Sequence, residues 1–119
     1  MNPCSYPGCE CPGHKHHIVF RSHGGLDNDL NLIDLCPEHH EFGVDAPHKS
    51  RQADVRLKQE LQEKYYEVFE DKQYGVDEIA ELIGISFNKT YKAFLKVPNN
   101  AGMYAREDII RRLMGGRLY

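Results

Sequence analysis

Several absences narrow what this chain can be. It has no tryptophan, and it has no apolar run of the about 18 residues that a membrane-spanning helix needs, so we expect no membrane contact. Its start, Met1-Asn2-Pro3-Cys4, lacks the basic segment followed by an apolar one that marks a secretory signal. We therefore expect a cytoplasmic protein, where cysteines are more often metal ligands than disulfides.

The composition suits a small globular protein. The chain has 119 residues, of which 40% are hydrophobic, with five Phe and seven Tyr. That length allows one modest domain, or a small metal-stapled unit joined to a helical one, but it cannot bury a large core. All four cysteines and all seven histidines lie within residues 1–51, so the chemically active part of the chain is expected there.

Positive charge is scarce overall but concentrated at one end. The formal net charge is −3, whereas a surplus of Lys and Arg is usual in proteins that bind nucleic acid. Residues 86–119 contain only Glu107 and Asp108 as anions, against the cations Lys89, Lys92, Lys96, Arg106, Arg111, Arg112 and Arg117. This distribution favours local contact with an anionic partner, although a basic solvent-exposed helix face would have the same composition.

Short strands and turns are predicted for the N-terminal third of the chain. The run His16–Phe20 predicts a strand, residues 21–28 carry the Gly, Asp and Asn of a turn, and Leu32–Leu35 predicts a second strand. Pro37 suits the first turn of a helix that runs through His40. The expected order is strand, loop, strand, helix.

The remaining sequence predicts helices, so the expected fold class is α+β. We expect one helix over about 50–71, one from Val76 that ends at Gly84, one capped by Ser86, and a last one over 106–114. For the helix after Ser86 we expect an inner face of Phe87, Tyr91, Phe94 and Leu95. Its outer face is expected to be basic and to consist of Lys89, Lys92 and Lys96.

Cysteine spacing predicts a structural zinc site. Cys4-x4-Cys9 and Cys36-x2-His39 form two knuckles of the kind that supply the four ligands of a closed tetrahedral site. The Pro- and Gly-rich segment around the first knuckle has too little apolar surface to become ordered without such a staple. Cys11 can replace Cys9 after a small change in the loop, and spacing does not choose between them. Reduced cysteines without a metal are the alternative interpretation.

The order of these groups resembles a family of nucleases. His16-His17-Ile18 leads through the Gly24-Gly25 turn to Asn31-Leu32-Ile33 and then to Leu35-Cys36-x2-His39-His40, an order similar to that of the HNH endonuclease family. The resemblance covers residues 4–48 and implies a ββα-metal fold for an N-terminal unit over residues 1–50. A connecting helix over 51–74 and a helical region over 75–119 complete the expected domain organisation.

The resemblance also implies a role for each side chain. His17 takes the position of the general base, Asn31 that of the residue orienting its imidazole, and His16 and His40 those of ligands to a catalytic divalent ion. That ion is expected to be Mg²⁺, Mn²⁺ or another transition metal. Some members have a further histidine one helical turn after His40, where this chain has valine. The next imidazole here is that of His48, which we expect to close the metal site from the loop.

The chemistry of phosphodiester hydrolysis suits these residue types. Adjacent residues of a strand point to opposite faces, so His16 and His17 are expected to divide the work, one binding the ion and the other reacting. A neutral imidazole can take a proton from attacking water, which typically contributes about 10²–10⁴-fold to the rate. A divalent ion stabilises the charge that develops on the phosphate. Arg21 is placed to touch that phosphate or its neighbour, although an ordinary exposed arginine would look the same.

The C-terminal part resembles a helix-turn-helix module. Residues 76–86 have a small residue where two helices would cross and a glycine at the turn, and the next helix would present Asn88, Lys89 and Lys92 to a major groove. Residues 103–109 are similar to the segment that follows the wing in excisionase-like variants. A plain packing domain of three helices has nearly the same apolar pattern.

We therefore expect a metal-dependent HNH endonuclease that nicks or cuts DNA, similar to the stand-alone HNH proteins of phages and mobile elements. Its expected partner is DNA, and the sequence leaves open whether it forms a homodimer or binds a further protein. The competing interpretation is a zinc-containing DNA-binding regulator without catalysis.

Overall fold

The computed structural model describes residues 4–5, 9–36 and 50–119. Within these ranges the chain is α+β, as expected, with two separate two-stranded antiparallel sheets and four helices. The strands are β1 (His14–His17), β2 (Leu32–Leu35), β3 (Gln73–Tyr74) and β4 (Tyr104–Ala105), and the helices are α1 (Arg51–Val68), α2 (Val76–Ile83), α3 (Phe87–Ala93) and α4 (Arg106–Leu113). Each helix in those ranges is too short or too polar to span a bilayer.

Strand β1 pairs with β2 in antiparallel register, with His17 opposite Leu32. It begins and ends earlier than the His16–Phe20 run that the sequence predicts. The reason is Asn31, whose side-chain carbonyl accepts a hydrogen bond of 2.7 Å from the Val19 N–H. Because that side chain takes the place of a partner strand, the chain leaves the sheet after His17 and turns into the core.

Helix α1 begins where its capping residue predicts. The Ser50 hydroxyl accepts a hydrogen bond of 3.1 Å from the Ala53 N–H, which satisfies one of the unpaired donors of the first turn. The helix ends at Val68 rather than near residue 71. Tyr65 and Phe69, on its last turn and just after it, are completely buried, so α1 serves mainly as a packing helix for the core.

The C-terminal part packs three helices beside the second sheet. Gly84 ends α2 in the left-handed conformation, with a φ of 75°, and the Ser86 hydroxyl accepts from the Lys89 N–H to cap α3, both as predicted. Strands β3 and β4 pair with Tyr74 opposite Tyr104, and α4 follows β4 directly. This small sheet was not expected from the sequence.

The prediction that four residues form a buried inner face of α3 is wrong for three of them. These three are at least half exposed: Phe87 (53%), Tyr91 (52%) and Leu95 (60%). The buried residues of this segment are Thr90 and Phe94, and the Phe94 ring packs edge-on against Tyr104 with centroids 5.4 Å apart. Because the neighbouring elements pack against the Thr90 and Phe94 side, the other aromatic side chains face solvent. The lysines expected on the outer face are exposed.

One hydrophobic core joins the first sheet to the helices. Ile18 and Val19, which follow β1, lie in the same buried cluster as residues of all four described helices or their ends. The Asn28 side-chain amide donates a hydrogen bond of 2.9 Å to the Tyr65 hydroxyl within this core. Burial raises the pKa of Tyr65 to about 12, against a smaller lowering by the Asn28 bond, so this phenol is neutral at all ordinary pH values.

Arg112 of α4 connects the N-terminal loop to the helical part. Its Nη1 donates to the Gly24 carbonyl at 2.7 Å, and its Nε donates to the Ala93 carbonyl at 2.6 Å. Burial lowers the pKa of Arg112 from its ordinary value, yet a guanidinium keeps its charge in proteins. One side chain therefore fixes the loop after β1, the end of α3 and helix α4 relative to each other.

We expect Arg112→Met to lower the free energy of unfolding by about 1–3 kcal/mol, because it leaves two part-buried carbonyl groups without their donor. Arg111→Met on the same helix is the matched control: Arg111 pairs with Glu107 and Asp108 at the surface, so its loss is expected to cost less than about 0.5 kcal/mol. Urea denaturation followed by circular dichroism measures both. Equal losses in the two variants would contradict the linking role of Arg112.

Candidate metal centre and basic cleft

Three cysteine thiols converge beside the first sheet. The sulfur atoms of Cys4, Cys9 and Cys36 all lie within 4.8 Å of one another, and those of Cys9 and Cys36 are 3.7 Å apart. Cys36 directly follows β2, and the N-terminal loop is attached to that strand by a hydrogen bond of 2.6 Å from the Ser5 N–H to the Asp34 carbonyl. The sheet therefore holds residues distant in sequence at one point where a metal ion could bind.

The cysteines of the cluster are not joined by disulfide bonds. All four cysteines lie in the described part of the chain, and none of them forms a disulfide. A backbone hydrogen bond from Cys11 lowers the pKa of the Cys9 thiol, but desolvation and the thiol groups of Cys36 and Cys11 outweigh it and raise the pKa above its ordinary value. Thiols packed this closely resist ionisation by themselves, whereas a bound cation stabilises the thiolate form.

Of the two alternative ligands that spacing left open, the sulfur cluster contains Cys9. Cys9 belongs to it, whereas Cys11 is exposed and lies outside it. Three sulfur donors are one fewer than a closed tetrahedral zinc site requires. The fourth ligand expected from the sequence, His39, lies outside the described residues, so its position is a prediction only.

We expect the purified chain to carry one tightly bound zinc ion, measured by atomic emission on protein prepared without chelators. Cys9→Ser is expected to lower the zinc content well below one per chain and to lower the melting temperature by about 4 °C or more, because a structural metal contributes to folding. Cys11→Ser, a change two residues away in the same loop, is expected to preserve both. The ligand assignment is wrong if the two variants lose zinc equally.

The adjacent histidines of β1 have different surroundings, as their alternation predicts. His16 is buried, with 2% of its surface exposed, and its ring packs edge-on against Phe20 at 5.7 Å. His17 keeps 22% of its side chain exposed. The other two expected ligands of the catalytic ion, His40 and His48, lie outside the described residues.

His17 is held by a carboxylate that the sequence did not identify as functional. Its Nε2 lies 2.7 Å from the Asp27 Oδ1, so the two form a hydrogen-bonded pair. This bond with His17 is the main cause that lowers the pKa of Asp27, and the nearby charges of Arg21 and Lys89 lower it further. From the sequence, Asp27 was expected only to form a turn, because its pairing with a residue ten positions away depends on how the loop folds.

Asn31 does not make the contact with the His17 ring that the resemblance implies. Its side-chain amide donates to the Val19 carbonyl at 3.1 Å and to the Leu26 carbonyl at 2.8 Å, while its carbonyl accepts from the Val19 N–H. All these bonds go to backbone atoms of the loop. Asn31 is therefore placed to position His17 indirectly, by fixing the loop that carries Asp27.

A cleft of about 590 Å³ separates this loop from the turn between α2 and α3. Arg21 and Asp27 lie on one wall, and Lys89 and Lys92 lie on the other. Three cations and one carboxylate thus line the cleft, and this carboxylate is hydrogen-bonded to His17 and lies 3.9 Å from the Arg21 Nε. The sequence predicted these cations as separate contacts to DNA, and the structure brings them together at one cleft. Asn88 is exposed on the same helix but does not line the cleft.

No protein family, curated protein or solved structure matched the chain. Any assignment of function to this chain therefore depends on its own residues: the thiol cluster, the His17–Asp27 pair and the basic cleft.

Proposed function

We propose that the chain is a metal-dependent endonuclease of the HNH type that hydrolyses phosphodiester bonds in DNA. The observation that carries the proposal is the His17–Asp27 pair beside the basic cleft. A partly exposed imidazole oriented by a carboxylate is the arrangement that general-base catalysis requires. The cations across the cleft match the phosphates of a nucleic acid strand.

In this proposal His17 reacts through Nδ1, the ring nitrogen that Asp27 does not occupy. An ionised carboxylate only accepts hydrogen bonds, so Nε2 carries the proton and Nδ1 carries the lone pair. Nδ1 takes a proton from water while the water oxygen attacks phosphorus. The bond from phosphorus to the 3′ oxygen breaks, and that oxygen leaves and is protonated from solvent, giving a 5′ phosphate and a 3′ hydroxyl. Asp27 stabilises the imidazolium that forms.

The catalytic divalent ion is proposed to be held by His16, His40 and His48. Imidazoles suit Mn²⁺ and other transition metals better than they suit Mg²⁺, which prefers oxygen ligands. Such an ion supplies positive charge that stabilises the transition state and the leaving oxygen. His16 supports this part of the proposal because it alternates with His17 on β1 and is buried, as a residue with a structural or ligating role would be.

The two other regions are proposed to support this reaction. Zinc bound by Cys4, Cys9, Cys36 and His39 would fix the N-terminal loop against the ββα-metal unit. That unit would consist of the sheet β1–β2 and a helix that the sequence predicts from Pro37, outside the described residues. Helices α2 and α3 would form a helix-turn-helix, with the turn closed by the backbone bridge between Asn100 and Met103 as a wing, and Asn88, Lys89 and Lys92 would contact DNA. The glycine turn and the capped second helix support that interpretation.

The first test is cleavage of supercoiled plasmid with Mg²⁺ or Mn²⁺. We expect His17→Ala to lower the rate by about 10²-fold or more, because it removes the base. His14→Ala is the matched control, an exposed histidine on the same strand, and is expected to cleave like the parent chain. Failure of the parent chain to cleave in any divalent metal would favour the DNA-binding regulator, and equal cleavage by His17→Ala would indicate a contaminating nuclease.

The second test concerns Asp27. We expect Asp27→Asn to lower kcat about 10–100-fold, as loss of an orienting residue commonly does, with KM changed much less. Asp29→Asn, an exposed carboxylate in the same loop, is the control. Because the pKa of Asp27 is below its ordinary value, its carboxylate stays ionised above about pH 4, so its protonation does not limit the rate between pH 5 and 9. A kcat unchanged in Asp27→Asn would contradict its role.

A further inference from the structure

Helix α3 carries an exposed aromatic pair that neither the core nor the proposed reaction uses. The rings of Phe87 and Tyr91 lie with centroids 6.1 Å apart and their planes inclined by only 17°. About half of each residue is exposed, and Leu95 continues the same stripe one turn further on. Contiguous exposed apolar side chains of this kind commonly mark an interaction site.

The pair and the cations of the cleft lie on different faces of α3. Lys92 projects about 100° and Lys89 about 160° from Tyr91 round the helix, and both lysines line the cleft opposite Asp27, whereas the two rings do not. A strand whose backbone contacts these lysines therefore reaches the rings by extending unstacked bases round the helix surface. Cationic grooves combined with aromatic side chains are the usual way in which proteins hold single strands.

We propose that Phe87 and Tyr91 form a stacking platform for unpaired nucleobases, so that the substrate is DNA with unpaired nucleotides beside the bond that is cut. This inference rests on the proposed function and names its substrate class: a single strand, or a duplex interrupted by a flap, bulge or gap. Stacking needs no particular base, because every base has a π-face. Selection would therefore depend on strand structure rather than on sequence.

Other occupants fit the helix less well. The major groove of a duplex presents polar base edges, which call for hydrogen-bonding side chains, whereas on this stripe Phe87 and Leu95 offer none and Tyr91 offers a single hydroxyl. A second copy bound through the same face would bring the lysines of the two α3 helices together, and these charges would repel each other. A strand of DNA can stack its bases on the rings and place its phosphates beside the lysines.

The test is fluorescence anisotropy with a labelled single-stranded oligonucleotide and with its fully paired duplex, using the full chain without added divalent metal. We expect the parent to bind the single strand more tightly than the duplex. Phe87→Leu and Tyr91→Leu keep an apolar side chain but remove the ring, and each is expected to weaken single-strand binding roughly 5- to 150-fold. Tyr91→Phe, which keeps the ring, and Leu95→Ala, which removes an exposed apolar side chain, are expected to bind like the parent.

Three results would overturn the inference. Equal losses for the single strand and the duplex would indicate groove binding, and a loss in Leu95→Ala as large as in Phe87→Leu would indicate a general apolar contact. Self-association of the free chain that Phe87→Leu abolishes, without a change in oligonucleotide binding, would assign the face to a second copy. Because binding is measured without cleavage, a failure of the nuclease proposal in the plasmid assay is seen separately.

Discussion

The hydrogen bonds of Asn31 are the constraint on which the candidate site depends. Its amide and carbonyl groups bind the backbone of Val19 and Leu26, and so close the loop between β1 and β2 from inside. Asn31 is buried, and its two bonds to Val19 are protected from competing water, while its bond to Leu26 is part-buried. The loop is so tight that a Cβ on Gly25 would overlap the Val19 carbonyl. This closure brings Asp27 to His17, which the strand pairing of β1 and β2 alone would not do.

The same loop is attached to the helical part, which makes the site and α3 one surface. Asn28 bonds to Tyr65 of α1, and Gly24 accepts from Arg112 of α4, so the loop is held from two helices. Arg112 also binds the end of α3, whose lysines form the far wall of the cleft. The width of the cleft is therefore set by packing rather than by a linker. Catalytic and DNA-binding side chains that the sequence assigned to separate regions act, in the proposal, on the same stretch of strand.

Local signals explain what the sequence predicted well. Ser50, Gly84 and Ser86 cap or end their helices through contacts within a few residues, so their positions could be predicted without knowledge of the fold. The alternation of His16 and His17 is equally local, because it follows from strand geometry. Contacts between distant parts of the chain were harder to predict from the sequence. Asp27 is bonded to His17 only because the loop closes, and its residue type and neighbours indicated nothing beyond a turn.

The burial of side chains on α3 was also hard to predict, because it depends on contacts with distant parts of the chain. The four apolar residues of this segment lie within nine positions, so a helix could bury more than one combination of them. Which side chains are buried depends on the elements that pack against the helix. Here Tyr104 and the core take Phe94, and the aromatic residues before it stay in solvent. The net charge of −3 does not describe the cleft for a related reason, because local charge depends on where cations lie rather than on how many there are. Three of them line one cleft together with a single carboxylate, so the formal charge of the cleft lining is positive although the chain as a whole is acidic.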